Sequence, residues 1–134
     1  MVRYKKMKEK ITLVDNLPFI QVSISHQGRN KIIDNVLIDT GSGSTIFKVD
    51  ILEDIGIKPE DDDVIATISG VGGSEFVFVK VIDCIKVGDL KVTGFKIDLG
   101  IMDYGFEING IIGMDFLTRI FSHIDLEDFF LLGR

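Results

Sequence analysis

From Phe19 to Ser25 apolar and polar residues alternate, with Ile20, Val22 and Ile24 on one face and Gln21, Ser23 and Ser25 on the other. A two-residue period predicts a half-buried β-strand. His26-Gln27-Gly28-Arg29-Asn30 predicts a turn, with His26 as a surface residue, and Lys31 to Ile38 predicts the returning strand. Upstream, Lys10 to Asp15 alternates weakly as a first strand before the Leu17-Pro18 interruption. Thr45-Ile46-Phe47 predicts a short strand. The period then changes: Val49, Leu52 and Ile55 fall at helical spacing, and Gly56 supplies a stop. Val64 to Ile68 and Phe76 to Val81 flank Ser69-Gly70-Val71-Gly72-Gly73-Ser74, predicting a hairpin with a glycine-rich tip. Ile85 to Ile97 predicts a second hairpin turning at Gly88-Asp89, and Met102 to Glu107 is irregular. Gly110-Ile111-Ile112-Gly113 leads into a short amphipathic helix over Met114 to Phe121. Ile124 to Leu126 and Phe129 to Leu132 close the chain as strands. Many short strands and two small helices predict a mainly β, barrel-like fold.

Composition narrows the function classes. A length of 134 residues fits one domain, and 46% hydrophobic residues suffice for a core. The net charge of −6 argues against general nucleic-acid binding. Arg3, Lys5, Lys6, Lys8 and Lys10 make residues 1–10 a basic arm, expected to be flexible. Asp61-Asp62-Asp63 reads as a solvated loop, because three consecutive carboxylates cannot all point at one ion. Cys84 stands alone, which leaves no disulfide framework and reads as a small buried hydrophobe. No apolar run is long enough for a membrane span or a signal peptide, so a reducing, cytoplasmic home without membrane partners is expected.

The candidate chemistry lies where the apolar run Val36-Leu37-Ile38 ends on Asp39-Thr40-Gly41-Ser42. An ionised carboxylate at the end of a buried strand loses hydration and must be hydrogen-bonded, paired or protonated. Gly41 lets main-chain N–H groups approach it. A lone Asp-Thr-Gly also occurs in ordinary turns. Here it is followed about 30 residues on by the glycine-tipped hairpin, and then by Ile111-Ile112-Gly113 opening a short helix. In that order the set resembles the retropepsin-like aspartic proteases from about Ile20 to Leu132. Gly113-Met114-Asp115-Phe116-Leu117 is similar to the single-domain bacterial members.

The resemblance implies a closed retropepsin-like β-barrel with one flap hairpin. It implies an aspartic endopeptidase acting on extended polypeptide, with no cofactor and no metal. Catalysis would use Asp39, Thr40 and Gly41, Thr40 bracing the two active-site loops across a dimer axis. Substrate would meet Leu37, on the Asp39 side by strand alternation, together with Ser42, Ile111 and the flap Gly70, Val71, Gly72 and Gly73. Ser42 is placed to donate to Asp39, which would favour a lower working pH. Ile111 and Ile112 would pack under the catalytic loop, and Gly113 would allow a close chain crossing.

The sequence holds one Asp-[Ser/Thr]-Gly, since Asp98-Leu99-Gly100 lacks the hydroxyl and Asp125-Leu126 lacks the glycine as well. One Asp cannot form a dyad, so a twofold homodimer is expected to supply the second. Gly43 and Met114 stand where retroviral enzymes carry an Asp and an Arg that pair to steady the dimer. Phe129-Phe130-Leu131-Leu132 is a candidate dimer or edge-strand element, with burial in its own domain the other reading. The competing function is a non-proteolytic module of the same fold that binds peptides or dimerises, because activity lives in the site rather than the fold.

Overall fold

The computed structural model describes residues 7–70, 73–104 and 107–134. Alternation produces the long strands. β1 (Met7–Lys10) and β2 (Thr12–Val14) flank the buried Ile11. β3 (Leu17–His26) and β4 (Arg29–Ile38) form an antiparallel pair, turning through Gln27 and Gly28, both with positive φ. Gly28 takes this left-handed geometry without a β-carbon to strain. β5 (Ile46–Lys48) leads into α1 (Val49–Leu52) and a 3-10 turn over Glu53–Ile55, which ends at Gly56 with φ of 82°. β6 (Val64–Gly70), β7 (Gly73–Val87) and β8 (Leu90–Gly100) form an antiparallel meander. β9 (Gly110–Ile112), α2 (Met114–Arg119), β10 (His123–Asp125) and β11 (Phe130–Gly133) complete the chain.

The larger sheet runs β2-β3-β4-β9-β5-β8-β7-β6, and an added β3–β7 pairing turns it back on itself. β9 is the topological centre. It runs parallel to β4 and antiparallel to β5, so a late segment is threaded between two early ones. β7 spans 15 residues. The two predicted hairpins therefore share one continuous strand, with the 64–70 hairpin projecting from one end of it.

A register shift between Ile20 and Val22 sets the phase of β4. Asn35 there adopts φ of 56°, and Asn109 spans the irregularity: its N–H donates to Asn35 O and its Nδ2 to Asp34 O. An extra residue flips the alternation. Ile33, Val36 and Ile38 consequently all enter the main core, which leaves Leu37 and Asp39 on the opposite face.

Three expectations need correction. Met7–Lys10 is not a free arm: it pairs with β11, and Met7 is buried against the turn at Gly88. Residues 1–6 lie outside the described residues. The closing run is no edge strand, because β11 pairs with β1 on one side and β10 on the other while Leu131 is fully buried. Cys84 is half-buried rather than a core residue. Among the described residues no helix is long and apolar enough to cross a membrane.

Candidate active site

Asp39 follows directly on β4, and its backbone extends the β4–β9 ladder by donating to Ile112 O at 3.0 Å. The chain then reverses: Ser42 N–H donates to Asp39 O at 3.1 Å, and Gly41 N–H donates to Asp39 Oδ1 at 2.8 Å. A β-carbon on Gly41 would stand 3.1 Å from that same oxygen. Glycine here allows the main chain to close over the carboxylate and hold it in one orientation. Asp39 is half-buried and Thr40 is exposed. Among the described residues no second carboxylate or cation is bonded to Asp39.

The loop is locked from below by α2. Met114 N–H donates to Ser42 O at 2.8 Å. Thr45 Oγ1 donates to Asp115 Oδ1 at 2.7 Å and accepts from Gly113 N–H at 3.2 Å, and Thr45 N–H reaches Asp115 Oδ2. Asp115 Oδ1 also accepts Phe116 N–H at 2.7 Å. Gly113 crosses so closely that a β-carbon would stand 2.4 Å from Ser44 O and 2.8 Å from Ser42 O, both main-chain atoms that cannot swing aside. Thr45 is fully buried. Burying its hydroxyl is tolerable because it is satisfied as both donor and acceptor. The Thr45–Asp115 lock was missed by sequence reasoning. Its only linear signal is an aspartate in the first turn of the helix behind Ile111-Ile112-Gly113.

Ser42 lies elsewhere than expected. Its hydroxyl donates to Ser44 O at 2.7 Å, so it braces the loop and is not bonded to Asp39. The expectation of a lower working pH from Ser42 loses its physical basis. Leu37 and Ile111 are side by side in register and pack in a second apolar cluster with Phe19, Ile46, Val77, Met102 and Ile108. Leu37 is half-buried and Ile111 is 9% exposed. Ile112 instead enters the main core.

The β6–β7 hairpin stands beside this cluster, contributing Val77 and the flanking Ala66 and Ile68. Its ladder runs to Gly70 opposite Gly73, and Ser69 and Ser74 share a hydroxyl hydrogen bond of 3.0 Å just before the tip. Val71 and Gly72 lie outside the described residues. Tyr104 donates its hydroxyl to Glu75 Oε1 at 2.7 Å, tying the segment after β8 to the hairpin close to its tip. Burial, together with that hydrogen bond to a carboxylate, pushes the Tyr104 phenol far above its ordinary range. It therefore acts as a permanent donor.

A carboxylate presented on a glycine turn beside an apolar face can supply one half of an acid–base pair. The family model described as aspartyl protease matches residues 20–116, well over half of the chain. The chain belongs to the aspartyl protease family. No curated protein sequence matches it. Among solved structures this aspartyl protease is similar to a retropepsin-like aspartic protease from Rickettsia conorii, at 15% identity and a TM-score of 0.68. The match covers 98% of this chain and 96% of that one. At such low identity the likeness establishes a shared retropepsin-like fold, and the mainly β architecture agrees with it.

Proposed function

We propose that the protein is an aspartic endopeptidase that works as a homodimer, Asp39 of each protomer supplying half of the catalytic dyad. One observation carries the reading. Asp39 is oriented by Gly41 N–H on a rigidly locked loop, yet it has no carboxylate partner among the described residues of its own chain. Asp98 and Asp115, the carboxylates nearest in the bonding pattern, are engaged by Ser44 and Thr45. Thr40 is exposed beside Asp39, as a residue that meets its own copy would be.

Two carboxylates brought together share one proton and titrate as a pair. The ionised member removes a proton from a water, whose oxygen attacks the peptide carbonyl carbon. The other member gives its proton to the carbonyl oxygen, producing a tetrahedral gem-diol. Collapse transfers a proton to the amide nitrogen and breaks the C–N bond. A carboxylic acid and an amine leave, and the dyad keeps its single proton. The β6–β7 hairpin would close over the substrate as a flap and exclude bulk water. The apolar cluster around Leu37 and Ile111 favours extended substrates with apolar side chains near the scissile bond. A lone cysteine and the absence of a disulfide framework fit a cytoplasmic setting.

Asp39→Asn preserves shape and removes the base, so it should lower kcat/KM at least about 1,000-fold with an unchanged melting temperature. Specific activity of the wild type should rise with protein concentration until sedimentation shows only dimer. Near-normal cleavage by Asp39→Asn, or full activity in a stable monomer, would overturn the proposal. A peptide that binds wild type without ever being cut would point to the binding module.

A further inference from the structure

Register places five residues in one row across the sheet. Leu37 pairs with Ile111, Ile111 with Ile46, Ile46 with Asp98, and Asp98 with Val79. Directly opposed residues project from the same face of a sheet. Leu37, Ile111 and Ile46 belong to the apolar cluster beside the Asp39 loop. Asp98 continues that face as a carboxylate, whereas its neighbours Ile97 and Leu99 point into the main core. Gly100, two residues on, confirms the direction: a β-carbon there would meet Ile46 and Val77.

Asp98 is only 5% exposed. Its Oδ2 accepts Ser44 Oγ at 2.8 Å, and no Lys, Arg or His pairs with it among the described residues. Its Oδ1 accepts no hydrogen bond there either. Yet that oxygen is not sealed in, because Ser122 Oγ is the only fully enclosed side-chain polar atom without a partner among the described residues. One hydroxyl is poor compensation for a desolvated carboxylate. Glu75, whose Oε2 also lies near Gly100, has its Oε1 bonded by Tyr104.

We propose that Asp98, held by Ser44, is a specificity-determining residue that receives a lysine or arginine side chain of the peptide substrate. This rests on the proteolytic reading above. The cationic head would supply the donors that Oδ1 lacks, and the aliphatic stem would stay on the apolar side of the row. Strands are about 4.8 Å apart, so Asp98 stands about 14 Å from Leu37 along the row. An extended peptide rises about 3.4 Å per residue, so about 14 Å spans about four residues, and the reach of a long cationic side chain brings its position to roughly two to four residues from the scissile bond. In a twofold dimer each side of that bond would have such a site.

Peptides differing only by lysine, acetyl-lysine or norleucine, scanned through those positions, test this. For wild type, lysine should raise kcat/KM over norleucine about tenfold or more at one position on at least one side. Acetyl-lysine should lose that gain, a readout that needs no protein variant. In Asp98→Asn, whose folding is checked by its melting curve, the lysine-to-norleucine ratio should fall to near one. Calorimetric Kd values for the same peptides should follow the same ratios, so the proposal is decided even if wild type cuts none of them. Absence of proteolysis with a retained lysine preference would sink the enzyme reading alone. A ratio near one in wild type at every position, a preference unchanged in Asp98→Asn, or no measurable binding or cleavage of any lysine peptide would overturn the assignment of Asp98.

Discussion

The two faces of the central strands have different occupants although their residues alternate one by one. On one face Val36, Ile38, Ile112, Ile97 and Leu99 join the main core, in which every buried member is apolar. On the other, Leu37, Ile111 and Ile46 form a smaller cluster whose row continues onto the carboxylate of Asp98. The first face can be dry because it is enclosed on all sides. The second cannot be read as a core that failed to close, since its polar member is positioned by a specific hydrogen bond from Ser44. The contrast teaches that stability and recognition are separated by a single step along β4, β8 or β9.

The harshest way to break this division is to disturb the crossing that holds both faces together. Gly113→Ala would drive a β-carbon into Ser44 O at 2.4 Å and Ser42 O at 2.8 Å. Backbone on both sides would have to move, and with it the Asp39 loop and the Thr45–Asp115 lock. A loss above about 4 kcal/mol is expected, or no folded protein at all. Urea unfolding measures it. A loss below about 1 kcal/mol would show that the crossing is more accommodating than its geometry implies.

A gentler pair sharpens the comparison. Ile112→Ala empties a fully buried position in the main core and should cost about 3 kcal/mol. Ile111→Ala, one residue earlier on the other face, should cost less, about 2 kcal/mol, because it sits in a smaller cluster whose half-buried members, Leu37, Ala66 and Ile68, can shift into the void. The kinetic effects should run in the opposite order: Ile111→Ala raises KM for an apolar peptide several-fold, while folded Ile112→Ala keeps KM near wild type. Equal stability losses with equal KM would erase the distinction between the faces.

Much of this was legible in the linear pattern, for identifiable reasons. Phe19 to Ser25, the Gln27-Gly28 turn and the Gly56 stop carry strong local signals, and the structure places a strand, a turn and a helix end there. Asp39-Thr40-Gly41 and Ile111-Ile112-Gly113 could be paired because a resemblance linked distant segments. Partners formed only by tertiary pairing were not legible. Asp115 reaches Thr45 across 70 positions and Asp98 reaches Ser44 across 54, and no periodicity announces either bond. The β4 irregularity at Asn35 was hidden too, since an apolar run looks continuous whether or not its phase shifts. Ser42 misled for a local reason: its hydroxyl had a nearer acceptor in Ser44 O than the carboxylate three residues back.

A last contrast separates Asp98 from the acidic loop before β6. There Lys80, next to Val79 on β7, binds Glu60 Oε1 at 2.7 Å and Asp63 Oδ1 at 2.8 Å, so that acid carries a cation from its own chain. Hydrogen bonding to Lys80 holds the Asp63 carboxyl below the ordinary aspartate range. Burial pulls the Lys80 ammonium down, but its bonds to Asp63 and Glu60 outweigh that and raise it overall. A depressed carboxylate stabilises the fold above its unfolded pKa, near pH 4, and the contribution disappears as pH falls through the lower folded value. The raised lysine acts at the other end, contributing below about pH 10 and losing that contribution as pH rises through its folded value. Lys80→Met removes both linkages. Its melting temperature should therefore fall less steeply than that of wild type between pH 4 and 3, with a deficit of about 2 °C or more at pH 7, since Lys80 and Asp63 are largely covered and only Glu60 is open to solvent. Parallel acid profiles in the two proteins would mean that Asp63 is not the carboxylate whose protonation sets the acid limb.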